Sequence, residues 1–435
     1  MTRYLTYPSC DWFVEAFGST EIGDWLTAAG ALDPVHPPTL SVMLPQSAAL
    51  ALDGQIWLDA FASETALYAA RIPPSRALGE MVWQIGRASV PASWLGSLFD
   101  VLASGFYLGS QPRLIASVDP RVDLDIPPSL AARGFSRIDI GNQGDDVPGT
   151  APADGDAVRA AAAWQEQVLE HAAQLACERD ISLGVAIRYG VPGQTLDAIQ
   201  RTLDRILSLT PARIHCKLAR RAAGTAASAL EHGGHGGHGG HGAHLPMLQL
   251  VLDRLSEAGY CRVGAGTYAR RGDVLENAQR HGHLMMRPYG PSAAAGLTTV
   301  ALGPGAIGCV GPVYYQNQRS GADYVAALEH GALPVMHGVS LGPDDLIRRA
   351  VIHSLSCNLF IDIEALSVAY GIDFEQHFAA EMSALSQLEQ AELISRSVDA
   401  IEIIGDGTLQ VDSICNVFDS YLRRHRSSKP YTTLL

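Results

Sequence analysis

The chain has 435 residues, 47% of them hydrophobic, with 31 Lys and Arg against 45 Asp and Glu and a formal net charge of −14. That length accommodates two or three domains with a sizeable core. The acidic balance, without an arginine–lysine stripe carrying interleaved aromatics, excludes a nucleic-acid partner from the expected functions. No apolar run approaches the roughly 20 residues that cross a bilayer, and MTRYLTYPSCDWF lacks the charged-then-apolar layout of a signal peptide, so a cytoplasmic protein with no membrane span is expected. Seven cysteines, no two closer than the 39 residues from Cys177 to Cys216, predict reduced thiols and no disulfide framework.

In chain order, the short apolar runs Leu40–Leu44, Arg113–Val118, Arg137–Ile140 and Gly184–Tyr189 predict strands. Alanine-rich helices are expected at Ala157–Glu178 and Leu196–Leu209. Alternating β and α predicts an α/β fold, a parallel sheet closing part-way into a (β/α) barrel with ligand loops at the strand carboxyl ends. Helical periods in LIRRAVIHSLSCNLF and FEQHFAAEMSALSQLEQAELI predict a mostly helical carboxyl domain, followed by a hairpin turning at Gly405-Asp406-Gly407. The expected organisation is an amino-terminal segment 1–35, a part-barrel 36–318 and a helical domain 319–435, the pattern breaking near Gln318–Ala326.

The part-barrel carries a low-complexity insertion, residues 231–244, in which His232, His235, His238, His241 and His244 are separated by glycine-rich spacers. Imidazole binds zinc, nickel, copper and haem iron, and glycine lets the backbone fold several rings around one ion. The same glycines make the unbound loop costly to order. A metal site, a haem-iron ligand and a surface loop without a role all stay open. His281 and His283 form an HxH pair lacking a third ligand, and His353 lies on an amphipathic helix; both suit bland surface or packing roles. No GxSxG, HExxH or P-loop pattern occurs.

GVSLGPDDLIRRAVIHSLSCN (Gly338–Asn358) and VDSICNVFDSYL (Val411–Leu422), with the opening RYLTYPS (Arg3–Ser9), RGFSRIDIGNQ (Arg133–Gln143) and VAIRYGVPGQT (Val185–Thr195), closely resemble the oxygen-independent coproporphyrinogen III oxidase family. The resemblance implies an incomplete parallel barrel of the radical S-adenosylmethionine type with a mostly helical carboxyl domain. It also implies a [4Fe-4S] cluster on a CxxxCxxC loop, whose radical chemistry decarboxylates porphyrinogen propionates. Aligned on LSVMLPQSAALALDG (Leu40–Gly54) with Pro45 as register, the family cysteines fall on Ser47, Ala51 and Gly54, which supply no thiolate. Cofactor positions are altered as well: VWQIGRAS (Val82–Ser89) stands in place of a glycine-rich turn with only Gly86 left. Ser117 and Ala186 replace acidic contacts, and Gly266 and Thr267 replace an Asp-His pair. Neither the usual cluster nor S-adenosylmethionine is therefore expected.

What remains is a scaffold suited to an anionic, flat ligand, since a tetrapyrrole with propionates needs apolar walls and arginines that fork onto carboxylates. The candidates are Arg188, at a strand end, and the pair Arg348 and Arg349. Their alternative roles are a strand-end salt bridge and an ion pair tying the carboxyl helices to the barrel. LGPGAIGCVGPVYYQNQ (Leu302–Gln318), with Gly305 and Gln316, resembles the family loop beside cofactor and substrate. Three functions are open: a non-radical relative binding haem, a porphyrin or its metal; a coproporphyrinogen dehydrogenase-like enzyme of porphyrin biosynthesis; or a metal-handling or regulatory protein that uses the histidine loop and a protein partner.

Overall fold

The computed structural model describes residues 3–32, 36–44, 54–72, 77–86, 91–119, 124–141, 167, 169–190, 194–218, 245–264, 266–294, 296 and 298–423. Six strands, β1 (Thr39–Met43), β2 (Glu80–Ile85), β3 (Arg113–Val118), β4 (Arg137–Ile140), β5 (Ser182–Tyr189) and β6 (Arg213–Leu218), pair in parallel in that order. Their near-continuous burial follows from parallel pairing, because crossover helices cover the outer face. The crossover helices include α2 (Gly54–Ala69), α3 (Trp94–Gly105), α4 (Ile126–Ala132) and α5 (Leu196–Ser208); α1 (Ser19–Leu32) precedes β1 and α6 (Leu245–Glu257) follows β6. Helix α5 starts where Thr195 Oγ1 accepts the Ala198 N–H at 3.1 Å, and it buries Ile199, Leu203 and Ile206, one stripe of the 3.6-residue period.

Antiparallel strands extend the sheet at both edges. β7 (Tyr260–Arg262) and β8 (Thr267–Arg270) follow β6; β11 (Thr299–Leu302), β12 (Ile307–Val310), β13 (Val313–Asn317) and β14 (Val335–Ser340) follow β1 on the other side. The twelve strands run β14-β13-β12-β11-β1-β2-β3-β4-β5-β6-β8-β7, an open order, so the expected part-barrel is present and does not close. A separate hairpin joins β9 (Met285–Arg287) to β10 (Gly290–Ser292), preceded by α7 (Val274–Arg280).

The carboxyl region is helical, as the periodicity predicts: α8 (Gly321–Glu329), α9 (Pro343–Asn358), α10 (Ile363–Tyr370), α11 (Phe374–His377), α12 (Met382–Gln390) and α13 (Val411–Cys415), with strands β15 (Phe360–Asp362), β16 (Ile394–Arg396) and β17 (Ala400–Ile403). Pro343 occupies the first turn of α9, and the Asp345 carboxylate accepts the Gly342 N–H at 3.2 Å. The stretch of helical period over Phe374–Ile394 forms two helices, α11 and α12, and Ile394 opens β16. The expected turn is also displaced. β16 and β17 join through Ser397–Asp399, where Ser397 N–H donates to the Ala400 carbonyl, whereas Gly405–Leu409 is a 3-10 helix. The reason is close packing: a Cβ on Gly407 would stand 2.0 Å from the Leu393 carbonyl oxygen.

The predicted strands agree within two residues at their starts, and Leu196–Leu209 forms α5. Of the helix expected at 157–178, the described part is helical over 169–179 and the rest lies outside the described residues. Two large apolar cores result, one around the sheet and one in the carboxyl region. The second includes Tyr4 and Tyr7 from the amino end. Tyr4 Oη donates to Asn416 Oδ1 at 2.6 Å and Tyr7 Oη lies 3.2 Å from Ser420 Oγ, so the RYLTYPS opening is bound to the carboxyl end. Among the described residues no helix is long and apolar enough to cross a membrane.

Candidate functional site

The concave face of the sheet encloses a cavity of about 950 Å³. Its walls follow the period of two along each strand: Glu80, Val82 and Gln84 from β2, Ile115 and Ser117 from β3, Arg137 and Asp139 from β4, His215 and Lys217 from β6. The hairpin β9–β10, Gly305, Ile307 and Gln316 close one side. Residues Leu5–Thr6 and Ser9–Asp11 of the amino end and Thr408–Ser413 of the carboxyl region also line the cavity.

One wall is a buried ionic network. Asp139, 2% exposed, accepts from Arg137 Nε at 2.9 Å and from Arg213 Nε at 3.3 Å. Arg213 also binds Asp273 and donates at 2.9 Å to Ser182 Oγ. His215 Nδ1 lies 3.0 Å from Thr267 Oγ1, and its Nε2, buried without a hydrogen-bond partner, faces Asp139 Oδ1 at 3.7 Å. Burial opposes the charge of Asp139, but Arg137, Arg213 and His215 hold its carboxyl well below the usual range. Burial pushes His215 down, against the opposing pull of the Asp139 carboxylate. Glu80 forms a second node, accepting from Tyr289 Oη at 2.9 Å and Ser292 Oγ at 3.0 Å and facing Arg113 Nη2 at 3.5 Å.

A missing side chain makes the first network possible. Asp139 and His215 stand on strands separated by β5, with Gly184 opposite Asp139 in register and Ala186 opposite His215. A Cβ on Gly184 would fall 2.0 Å from Asp139 Oδ1 and 3.1 Å from His215 Nε2. None of Asp139, His215 or Arg213 is among the residues singled out from sequence. The available signal is a charged residue at alternate positions of otherwise apolar runs, R-I-D-I and R-I-H-C.

Gly305 and Gln316 are brought together on the cavity wall, Gln316 Nε2 donating to the Gly305 carbonyl at 2.9 Å. Arg188 lies half-buried on β5 opposite Lys217 of β6 in register, on the strand face that Gly184 and Ala186 turn toward Asp139 and His215, but it is not among the residues that line the cavity. Arg348 and Arg349 lie in α9 away from the cavity wall. Arg348 pairs with Asp344 at 2.8 Å and with buried Glu381 at 2.6 Å and donates to the Phe418 carbonyl; Arg349 donates to the Gly311 carbonyl at 3.1 Å and sits over the Tyr314 ring. His353 is buried on the same helix and pushed down to about 3 by burial, Arg349 and Arg287. His281 caps α7, its Nδ1 lying 2.7 Å from the Asn277 carbonyl, and His283 is exposed in the turn that follows.

Ser47, Ala51 and the five histidines His232, His235, His238, His241 and His244 lie outside the described residues. Gly54, the third position of the cluster loop, opens α2, and the Trp94 indole of α3 fills the space beside it: a Cβ there would stand 1.3 Å from Trp94 Cη2. A cysteine side chain at 54 therefore does not fit this arrangement, and the residues present do not suit the cluster of radical S-adenosylmethionine enzymes. Among the described residues no group of three or more His, Cys, Asp or Glu is placed to hold a metal ion.

A six-stranded parallel part-barrel extended by antiparallel strands and joined to a helical carboxyl region is an incomplete barrel of the radical S-adenosylmethionine type. A solved structure, coproporphyrinogen III oxidase from Escherichia coli, described as a radical SAM enzyme, superimposes with a TM-score of 0.79 at 25% identity, covering 96% of this chain and 97% of that one. The Salmonella typhimurium oxygen-independent coproporphyrinogen III oxidase is 27% identical over 456 residues, covering 100% of the chain and 95% of that protein. The Thermostichus vulcanus protein of the same name is 30% identical over 246 residues, covering 56% of the chain and 75% of that protein. No family model matches. The chain belongs to the oxygen-independent coproporphyrinogen III oxidase family.

Proposed function

We propose that this chain is a non-radical member of its family that binds a tetrapyrrole, haem or a porphyrin, in the barrel cavity. The observation that carries the reading is a cavity of about 950 Å³ kept within a fold whose third cluster position is filled by Trp94. Its volume lies at the upper end of the roughly 300–1,000 Å³ of ligand pockets. Its lining combines Tyr189, Tyr268 and Tyr289 with arginines, the apolar and cationic surfaces that a flat polycarboxylate requires. Coproporphyrinogen oxidation, which the relatives' names state for them, requires ligands for iron that Ser47, Ala51 and Gly54 do not supply.

An anaerobic absorbance titration with haem and with coproporphyrin tests the proposal, run beside a variant lacking residues Glu231–His244. A saturable Soret shift in both proteins is expected and places the ligand in the barrel. A shift lost with the deletion transfers the site to the histidine loop. No shift in either overturns the proposal.

A further inference from the structure

Several ionic groups in and behind the cavity wall are paired. Arg137 and Arg213 are offset by Asp139 and Asp273, and Arg113 faces Glu80. Arg262 has no such partner. It is the last residue of β7 and sits directly opposite Tyr268 of β8 in an antiparallel register, and both residues line the cavity. Among the described residues no ion pair reaches its guanidinium, and its Nη1 is buried without a hydrogen-bond partner. The groups that act on it are the Tyr268 phenol, Asp412 at the start of α13, and the buried thiols Cys415 and Cys357. Burial pulls the guanidinium below its ordinary range, and Tyr268 and Asp412 offset this only in part.

Arg262 is half-buried and its Nη1 is fully so; a guanidinium nitrogen taken out of water without a hydrogen-bond partner is costly, and such groups in folded proteins are paired or face a ligand. A carboxylate matches the planar fork of a guanidinium with two parallel hydrogen bonds, and the phenol of Tyr268 supplies a further donor. We infer that Arg262, with Tyr268 beside it, is the carboxylate-binding point of the cavity and anchors one acid side chain of the bound tetrapyrrole. The inference rests on the tetrapyrrole reading and adds the residue and the group it recognises. It assigns Arg262 a different part from Arg348, whose charge is already met by Asp344 and Glu381.

The test compares the full chain with Arg262→Met and Arg262→Lys, titrated with coproporphyrin III and with its uncharged tetraamide, while the melting temperature of each ligand-free protein is recorded. Arg262→Met is expected to weaken coproporphyrin binding on the order of tenfold to a hundredfold, the worth of a charged hydrogen bond, and to leave the tetraamide affinity unchanged. Arg262→Lys is expected to recover part of the loss, since it restores the charge without the fork. The ligand-free Arg262→Met protein is expected to melt no lower than the wild type, because methionine replaces a half-buried charge without a counter-ion at similar volume. Equal coproporphyrin affinity in wild type and Arg262→Met overturns the inference and leaves the tetrapyrrole reading standing. Equal losses for acid and tetraamide, or a melting temperature lowered by several degrees, show a structural guanidinium and also overturn it. A wild type that takes up neither porphyrin removes the reading and the inference with it.

Discussion

Single positions without side chains decide what this barrel holds. Gly184 leaves the space in which Asp139 and His215 meet across an intervening strand. In Gly184→Ala the new methyl would overlap the Asp139 carboxylate at 2.0 Å, and two strands of a buried sheet leave little room to yield. Overpacking of this kind costs about 1–3 kcal/mol, so a lowered urea midpoint is expected at unchanged m-value; an unchanged midpoint would show that Asp139 moves freely. Gly54 acts in the opposite sense, as a position already filled from outside by Trp94. Installing Ser47→Cys, Ala51→Cys and Gly54→Cys together, then supplying iron and sulfide anaerobically, is expected to give no cluster until Trp94→Ala is added. A cluster formed with Trp94 in place would refute the steric account.

Between elements, the decisive contact is made by Glu64 of α2, which is fully buried beneath β11, β13 and α8. Its carboxyl accepts from the Gly303 N–H at 2.8 Å, from Asn317 Nδ2 at 2.7 Å and from Tyr324 Oη at 2.6 Å, tying one helix to a second helix and two strands. Burial outweighs these three donors and raises the group from 4.5 to about 7. The folded state thus favours the protonated acid: its contribution to stability is complete below pH 4.5 and is lost as pH rises through about 7. In Glu64→Gln that dependence is absent, so the variant should gain on the wild type as unfolding is measured at successive steps from pH 5 to pH 8. A stability difference independent of pH would show that Glu64 stays ionised throughout.

At the scale of the whole molecule, both ends of the chain contribute to the cavity lining. Tyr4 and Tyr7 bind the segment Asn416–Ser420, and residues near these anchors, Leu5–Thr6, Ser9–Asp11 and Thr408–Ser413, line the cavity. The carboxyl helices are held by their own ion pairs, with Glu381 bound by both Arg348 and Arg423. The Arg348–Arg349 pair that stands out in sequence meets Asp344, Glu381 and backbone carbonyls in the structure, while Arg262, unremarkable in YCRVG, lines the cavity. Sequence places a charge on a strand; the partner available to it is set by which strands become neighbours.

Much of the fold is legible in the sequence. The apolar runs Arg113–Val118 and Arg137–Ile140 reproduce β3 and β4, because a parallel strand buried on both faces imposes a local composition. The family, the helical carboxyl region and the absence of thiolates at Ser47, Ala51 and Gly54 are equally local, written in motif and residue type. The hairpin turn falls at Ser397–Asp399 and not at Gly405–Gly407, since glycine spacing alone does not reveal that Gly407 packs closely on Leu393. Only the tertiary structure brought Asp139 beside His215 through the gap at Gly184, set Trp94 against Gly54 and left Arg262 on the cavity wall without a counter-ion among the described residues. Each of these is a relation between distant segments, and sheet register, which assigns every side chain to a face, is what creates it.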